Sequence, residues 1–377
     1  MMLRSVFIYL ISGGLLLAAF LPNRAASEAD SSAFSTAERQ AFASVEPVDT
    51  HAHAFQIAPA FYGMLERLHV HLLDICTPNR HDPNFADLST KIEAAKAFVQ
   101  NSAGHAALCT TFDPFRFSEP AFADGAIHQL DADFGQGAVA VKIWKNIGME
   151  LKDTNGHFVL PDDPRFGPIY QNIAAHNKTL IAHVADPDSC WQPPNKNSPD
   201  YSYFQQHPEW YMYTKPDHPS KATILQARDH MLEQNPKLRV VGAHLGSSET
   251  DLDEVARRLD RYPNFAVDVA ARVIYLTSQP RDKVRRFLIK YQTRILYGTD
   301  LGFYRSEPAD AAERRWERQY AMDWRFFSSE GTVEYRNQKV QGLALPKEVL
   351  RRLYHENAVQ WIPGVVPLPV QSRSEPH

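Results

Sequence analysis

Short apolar runs rich in β-branched residues recur along this chain, separated by stretches with helical spacing. The runs are predicted strands, and they cover residues 45–51, 71–77, 105–112, 138–144, 179–184, 239–243, 265–269 and 294–297. The helix-like stretches include residues 87–101, 165–176, 220–234 and 252–262. Strands that alternate with helices pair in parallel through right-handed crossovers, and eight such units close a barrel. The pattern therefore predicts an α/β fold, a (β/α)8 TIM barrel.

Two long segments break the alternation, residues 186–219 after the fifth strand and residues 301–343 after the eighth. Both are rich in aromatic residues, among them Trp191 and Trp210 in the first segment. Long connections without regular structure often carry function, and both leave the barrel where its strands end. One hypothesis is a lid in which Trp191 and Trp210 bind an organic substrate. The alternative is that the segments pack on each other or form an interface of a homo-oligomer.

The amino-terminal residues are typical of an export signal. Arg4 supplies a short positive region, residues 6–20 are apolar and uncharged, and small residues follow at 25–27. This pattern predicts a signal peptide at 1–27, a linker at 28–44, the barrel at 45–362 and a disordered tail at 363–377, in a periplasmic or secreted protein. An uncleaved membrane anchor is the alternative, although the apolar stretch is short for a bilayer span of about 20 residues.

The charge and cysteine content of the chain limit the kinds of molecule that it is expected to bind. A net charge of −4 and a pI near 6.5 provide no basic surface for nucleic acid or an anionic membrane. We therefore expect a small-molecule substrate and no stable membrane insertion after signal cleavage. Cys76, Cys109 and Cys190 are odd in number and lack CxxC spacing, which indicates neither a disulfide framework nor a thiolate zinc site. A single disulfide between two of these cysteines is left open as an alternative.

Polar residues that can bind a metal ion stand at the ends of several predicted strands. His51 and His53 share one face of the first strand, because residues two apart point to the same side. Further candidates at the ends of strands four, five, six and eight are Lys142, His183, His244 and Asp300. The carboxyl ends of barrel strands meet at one face, where active sites lie. Imidazoles and a carboxylate gathered there suit a first-row divalent metal.

A second HxH pair, His69 and His71, has the same spacing but a different position. It precedes the apolar run of the second strand instead of ending one. We therefore expect it at the amino-terminal end of the barrel, away from the chemistry.

The order of these residues resembles the amidohydrolase superfamily, on its amidohydrolase-related branch of metal-dependent hydrolases. The motifs VDTHAH, GAHLG and YGTD carry the likeness, and LPKEVL followed by YHENA resembles the closing helix, so it spans residues 46–362. The resemblance implies one or two divalent ions, with Zn2+ as first choice, held by His51, His53, Lys142, His183, His244 and Asp300. It also implies that Asp300 is the catalytic base that accepts a water proton. His244 would bind a second metal or polarise the substrate carbonyl.

Two cationic residues keep alternative interpretations. Lys142 has apolar neighbours, where an ammonium is costly to bury without a partner. By the resemblance it is carboxylated by CO2 and bridges two metals, whereas the competing interpretation is an ammonium that binds a substrate carboxylate. Lys145 could take that second role. Arg272, after the seventh strand, is a candidate to hold a substrate anion, with a surface salt bridge as the alternative.

The residues and the resemblance together predict an exported metal-dependent hydrolase. It would cleave an amide, ester or lactone bond of a small organic substrate with a metal-activated water. One alternative is a nonoxidative decarboxylase or hydratase of the same superfamily. Lys142 favours hydrolysis, whereas Arg272 would suit a carboxylated substrate. The other alternative is a noncatalytic periplasmic binding protein, which would not need a metal site with a carboxylate base.

Overall fold

The computed structural model describes residues 33–367, and the predicted parallel strands form one curled sheet within them. The sheet order is β8-β7-β6-β5-β4-β3-β2-β1-β9, and every pairing in it is parallel. The strands are β1 (Val48–Ala54), β2 (His71–Ile75), β3 (Ala106–Thr111), β4 (Ala140–Ile143), β5 (Thr179–Ala182), β6 (Arg239–Gly242), β7 (Phe265–Asp268), β8 (Ile295–Leu296) and β9 (Leu301–Phe303).

Strands β8 and β9 occupy one position of the barrel. The Thr50 N–H donates to the Tyr297 carbonyl at 3.0 Å, just after β8, and the Asp300 N–H donates to the His51 carbonyl at 2.7 Å. Beyond Asp300, β9 pairs with β1 from Leu301 onward. The sheet thus returns to its first strand, which confirms the predicted (β/α)8 TIM barrel.

Helices cover the outside of the sheet. The α-helices are Thr36–Ala43, Pro59–Leu68, Leu88–Gln100, Phe122–Gly135, Asn146–Met149, Gly167–Ala175, Tyr201–Gln206, Lys221–Gln234, Ala243–Ser247, Leu252–Arg261, Val273–Thr277, Arg281–Lys290, Ala309–Ser328, Lys347–Arg351 and Asn357–Trp361, with a π-helical turn at Arg352–Glu356. No described helix is long and apolar enough to cross a membrane.

The last helix closes the amino-terminal end of the barrel. Trp361 and Ile362 are buried in one apolar cluster with Val48, Val139 and Ile181 from the strands. The Trp361 indole N–H donates to the Thr293 carbonyl at 3.0 Å, ahead of β8. Within the described residues, side chains therefore fill this end of the barrel.

The linker prediction for residues 28–44 is wrong in its second half. Thr36–Ala43 is a helix that begins with a reciprocal capping box, since Ser35 and Glu38 each bond the other's backbone N–H. Phe42 is fully buried against the ring of Trp324. The predicted signal peptide at 1–27, and the tail beyond residue 367, lie outside the described residues.

The two long segments are present, but neither is without regular structure. Residues 301–343 contain the helix Ala309–Ser328 and the antiparallel hairpin β10 (Thr332–Tyr335) and β11 (Gln338–Gln341). Residues 186–219 contain the helix Tyr201–Gln206 and three short 3-10 turns. All three cysteines, one of them Cys190 in this segment, are buried and free.

Candidate metal centre

The carboxyl ends of the strands surround a cavity of about 550 Å³. All six predicted metal-binding residues line this cavity, and they are His51, His53, Lys142, His183, His244 and Asp300. Arg272 lines it as well. Two residues come from β1, and Lys142 lies in β4. His183 directly follows β5, His244 lies two residues after β6, and Asp300 lies between β8 and β9. The parallel barrel therefore brings together side chains from five strands that are far apart in sequence.

His51, His53 and Asp300 form one group of side chains that could hold a metal ion. His53 Nε2 lies 3.2 Å from Asp300 Oδ1, and His51 Nε2 lies 3.5 Å from the same oxygen. One ligand atom from each residue lies within 4.8 Å of the other two. A cation placed among these atoms would contact all three side chains.

Hydrogen bonds on the far side of each ring determine which nitrogen faces the cavity as an acceptor. His53 Nδ1 donates to the Ile75 carbonyl at 2.7 Å, and His244 Nδ1 donates to the Ala270 carbonyl at 2.8 Å. His51 Nδ1 donates to Asp268 Oδ2 at 2.9 Å. Each Nε2 then carries a lone pair. Lone pairs of His51 and His53 face a carboxylate oxygen, an arrangement that a metal ion between them would stabilise.

His183 contributes a further imidazole nitrogen, which makes no hydrogen bond within residues 33–367. Its Nε2 is buried and makes no hydrogen bond, although Asp186 Oδ1 lies 3.5 Å away. The ring packs edge-on against His244 at 4.3 Å between centroids. His244 Nε2 in turn lies 4.0 Å from Asp300 Oδ2. An orphaned imidazole nitrogen beside this group fits a metal ligand and not a satisfied core histidine.

Burial favours the neutral form of three of the imidazoles, those of His51, His183 and His244. It lowers the pKa of His51, and it lowers the pKa values of His183 and His244 well below the ordinary value. Burial alone would raise the pKa of Asp300, but attraction from the imidazoles of His244, His53 and His51 in their protonated forms outweighs burial and holds that pKa well below its usual range. Neutral imidazoles beside an ionised carboxylate are the protonation states that a divalent metal requires.

Asp268 supports two of these candidate ligands, and it is not among the residues predicted from the sequence. Its Oδ2 accepts from His51 Nδ1, and its Oδ1 accepts from the His244 backbone N–H at 2.7 Å. It is the last residue of β7 and fully buried. The signal was available, because Asp268 ends an apolar run as the other candidates do.

The backbone at His244 adopts an uncommon conformation. His244, Leu245 and Ser247 have positive φ angles of 61°, 56° and 59°, a left-handed turn that non-glycine residues rarely form. The bond from its backbone N–H to Asp268 helps to hold this turn. Such strain is typical of sites where the surrounding structure determines one side-chain position.

The turn that carries Asp300 depends on Gly298 and Asp49. A Cβ at Gly298 would lie 2.9 Å from His51 Cβ, so only glycine permits this close approach. Asp49, buried and also missed, accepts from the Thr299 N–H at 3.0 Å and from the Thr299 hydroxyl at 2.6 Å. No sequence signal distinguishes Asp49 from a polar residue on the strand surface.

Lys142 is buried, with Nζ 3.0 Å from His51 Nε2. Within the described part of the chain, no carboxylate oxygen lies within ion-pair distance of Nζ. Burial lowers the pKa of Lys142 to about 8. An ammonium here donates to the same lone pair that a metal would use, so an unmodified charged lysine and a metal compete for His51.

Arg272 lies in the cavity wall. It does not form the surface salt bridge that was the alternative to anion binding. It is buried, its Nη1 donates to the Ala271 carbonyl at 3.2 Å, and its Nε has no partner. None of the ion pairs among residues 33–367 includes it. A buried guanidinium with unused N–H groups that lines a cavity can receive an anion.

Trp191 and Trp210 are not placed as the sequence predicts. Neither ring lines the cavity: the Trp191 indole N–H donates to the Pro219 carbonyl at 3.2 Å, and Trp210 is buried against Trp144. The part of this segment that does line the cavity includes Tyr203 and His207. Alternation of aromatic residues could not show which of them face inward.

The second HxH pair lies at the opposite end of the barrel, as expected. His69 follows the helix Pro59–Leu68 in a left-handed conformation, and His71 begins β2. His71 Nδ1 donates to the Gly104 carbonyl at 3.1 Å, and its ring stacks on His105. Neither residue lines the cavity.

Comparison with known families agrees with this geometry: the profile described as Amidohydrolase matches residues 48–363. The chain belongs to the amidohydrolase family. The match spans the whole barrel and includes every candidate ligand. This amidohydrolase is therefore a metal-dependent enzyme, and its cavity donors suit a divalent metal. No protein with a curated function matches the chain.

Solved structures with a similar fold include three enzymes of different kinds. A 2,6-dihydroxybenzoate decarboxylase from Rhizobium shares 13% identity over 84% of this chain and 98% of its own, with a TM-score of 0.48. A 4-oxalomesaconate hydratase from Rhodopseudomonas palustris shares 10% identity over 85% of this chain and 96% of its own, with a TM-score of 0.46. A dihydroorotase from Campylobacter jejuni shares 11% identity over 80% of this chain and 93% of its own, with a TM-score of 0.38. These values are too low to bear on the reaction of this amidohydrolase.

Proposed function

We propose that this amidohydrolase is an exported hydrolase that cleaves an amide, ester or lactone bond of a small organic substrate. The observation that carries the proposal is the group of Nε2 lone pairs from His51 and His53 that face Asp300. Two acceptors at 3.2–3.5 Å from one carboxylate oxygen are best explained by a shared cation. An ionised carboxylate beside that cation can also accept a proton from water.

The residues of the cavity have separate roles in this reaction. When bound, a divalent metal acidifies its water to a pKa of about 7. Asp300 accepts the proton of the attacking water and passes it to the leaving group. His244 binds a second metal or polarises the substrate carbonyl, and Arg272 holds an anionic group of the substrate. Zn2+ is our first choice, because four imidazoles and a carboxylate suit it.

The reaction class is tested by product analysis with the purified metal-containing protein. Lactones, amides and esters of small carboxylic acids are expected to yield the ring-opened acid or the two fragments, with no gas released. Release of CO2 from a carboxylate substrate, with no hydrolysis product, would instead identify a decarboxylase. This is the second candidate function, because Arg272 is placed where it could bind a substrate carboxylate. Binding without turnover of any compound would leave only the binding protein.

We further propose that Lys142 is carboxylated and bridges two metals. Two dications repel each other strongly at short distance, and a carbamate would place negative charge between them. The unmodified ammonium would add to the repulsion and occupy His51 Nε2. We expect the Lys142→Ala protein to hold about one metal or fewer, where the wild type holds about two, with partial recovery in the presence of acetate. Metal analysis and intact mass under non-denaturing conditions measure both quantities.

The matched variant is Lys145→Ala, which removes a neighbouring buried lysine that bonds Asp186 and Tyr203. It is expected to keep the wild-type metal stoichiometry. A wild-type protein with one metal and an unmodified Lys142 would contradict the bridging carbamate. The reaction would then use His244 as polariser and Asp300 as base.

Export is proposed from residues 1–27 of the sequence. The mature protein is expected to begin near residue 27 and to be found outside the cytoplasm. Amino-terminal sequencing of protein recovered from the periplasm or medium checks this expectation. A chain that retains Met1 and sediments with membranes would indicate the uncleaved anchor.

A further inference from the structure

Tyr203 faces the candidate active-site cavity from the segment 186–219. It belongs to the helix Tyr201–Gln206 and lines the cavity, and its side chain is 38% exposed. The rings of Phe204 and His207 pack against it at 5.3 Å and 4.7 Å between centroids. A molecule in the cavity can therefore reach a tyrosine whose orientation is already constrained.

Lys145 determines where the proton of this hydroxyl can point. The buried Lys145 Nζ donates to Tyr203 Oη at 2.7 Å and to Asp186 Oδ2 at 2.6 Å. An ammonium has no lone pair, so the hydroxyl can only accept from it. In the part of the chain that the structure describes, Tyr203 Oη has no acceptor for its own proton. That proton is left for a molecule in the cavity.

The surroundings strengthen Tyr203 as a donor. The Trp210 ring lies 4.5 Å from Lys145 Nζ and stabilises the buried cation. Desolvation of its hydroxyl end, which lies against Lys145, with the charges of Asp186 and Asp300, raises the pKa of Tyr203 above its usual range, so the group stays a hydroxyl. A hydroxyl that accepts a bond from a cation donates more strongly. Arg272 lines the same cavity, and its buried Nε makes no hydrogen bond among the described residues.

We propose that Tyr203 donates a hydrogen bond to an anionic group of the substrate, and that Lys145 is the positioning residue that directs the hydroxyl proton into the cavity. Arg272 supplies the charge that neutralises the anion, and Tyr203 supplies a directional bond. The proposal depends on the proposed function only in taking this cavity as the substrate site, because anion binding requires no turnover.

The test measures binding of two probes of nearly equal shape, benzoate and benzamide, to the purified metal-containing protein by isothermal titration calorimetry. In the Tyr203→Phe protein the Kd of benzoate is expected to rise roughly tenfold or more, since a bond to a charged group is lost. The Kd of benzamide is expected to stay within about twofold. Tyr213→Phe makes the same change at an exposed ring outside the cavity and should alter neither value.

Substitutions of Lys145 separate positioning from packing. The Gln side chain of Lys145→Gln has a carbonyl that can accept the tyrosine proton, so benzoate should weaken as it does in Tyr203→Phe. Lys145→Arg has no acceptor and should keep most of the benzoate affinity. Melting temperature and metal content are measured for each variant. If Lys145→Gln does not fold, Tyr203→Phe alone decides.

Three results would overturn the proposal. The first is an unchanged benzoate Kd in a Tyr203→Phe protein with wild-type metal content, which would place the benzoate on the metal alone. The second is equal weakening of benzoate and benzamide, which would indicate ring packing. The third is a wild-type protein that binds benzoate no more tightly than benzamide. If the benzoate affinities change as expected but the protein hydrolyses no substrate, the proposed function is contradicted and this inference still holds.

Discussion

The His53→Ala protein is expected to lose its metal and its activity together. His53 Nε2 lies 3.2 Å from Asp300 Oδ1, and its Nδ1 donates to the Ile75 carbonyl, so the ring is held with its lone pair facing the proposed metal. Removal of a supporting partner alone typically reduces metal affinity ten- to a hundredfold. Loss of the ligand itself should reduce affinity and kcat/KM by roughly a hundredfold or more. Metal content after dialysis and kcat/KM on one hydrolysed substrate measure the two losses.

His71→Ala is the matched control, because it removes the second histidine of the other HxH pair. His71 bonds Gly104 at the amino-terminal end of the barrel, far from the proposed ligands. Its variant should keep metal content and kcat/KM near wild-type values. Equal metal loss in the two variants would mean that the wrong HxH pair has been chosen. Full metal retention in His53→Ala would exclude His53 as a ligand.

The Asp300→Asn protein is expected to lose kcat by about 10²–10⁴, the range for removal of a general base. Asparagine keeps the size of the side chain and one oxygen beside His53, but it cannot accept the water proton. Retained metal would separate this loss from that of His53→Ala. We expect at least part of the metal to remain, because His51, His53 and His183 are unchanged. Steady-state kinetics and metal analysis of the same preparation measure the difference.

Glu307→Gln is the control for this change from carboxylate to amide. Glu307 pairs with Arg315 and does not line the cavity. Its kcat should stay within about twofold of the wild-type value. An Asp300→Asn protein with wild-type kcat would show that another group accepts the proton. Asp186, which lies 3.5 Å from His183 Nε2, would then be the first residue to test.

The carboxyl ends of the strands are the part of the site that sequence reasoning located. His51, His53, His183, His244 and Asp300 each end or leave an apolar run, and parallel pairing brings such ends to one face. The second HxH pair was separated from the first by the same argument. The residues that hold these ligands were not found. Asp268 and Asp49 act through hydrogen bonds between strands, and no local pattern shows which strands become neighbours.

The segments outside the barrel could be predicted only in position. Trp191 and Trp210 follow the fifth strand as expected, but their rings pack away from the cavity, whereas Tyr203 faces it. The direction of a side chain in a nonrepetitive segment depends on tertiary contacts, here the bonds of Lys145 to Asp186 and Tyr203. The sequence pattern does not distinguish the helix Thr36–Ala43 from a linker, because the stability of this helix depends on burying Phe42 against distant residues.

The sequence by itself determined the alternation of strands and helices, and with it the barrel, because periodic burial is a local property of the chain. It also determined which residue types stand at the carboxyl ends, and hence a candidate metal site of imidazoles and a carboxylate. Only the tertiary structure decided which nitrogen of each ring faces the cavity and that Lys142 contacts His51. It alone placed Arg272 in the cavity wall with no ion pair among residues 33–367. These features depend on distances between strands far apart in the chain, which residue order does not contain.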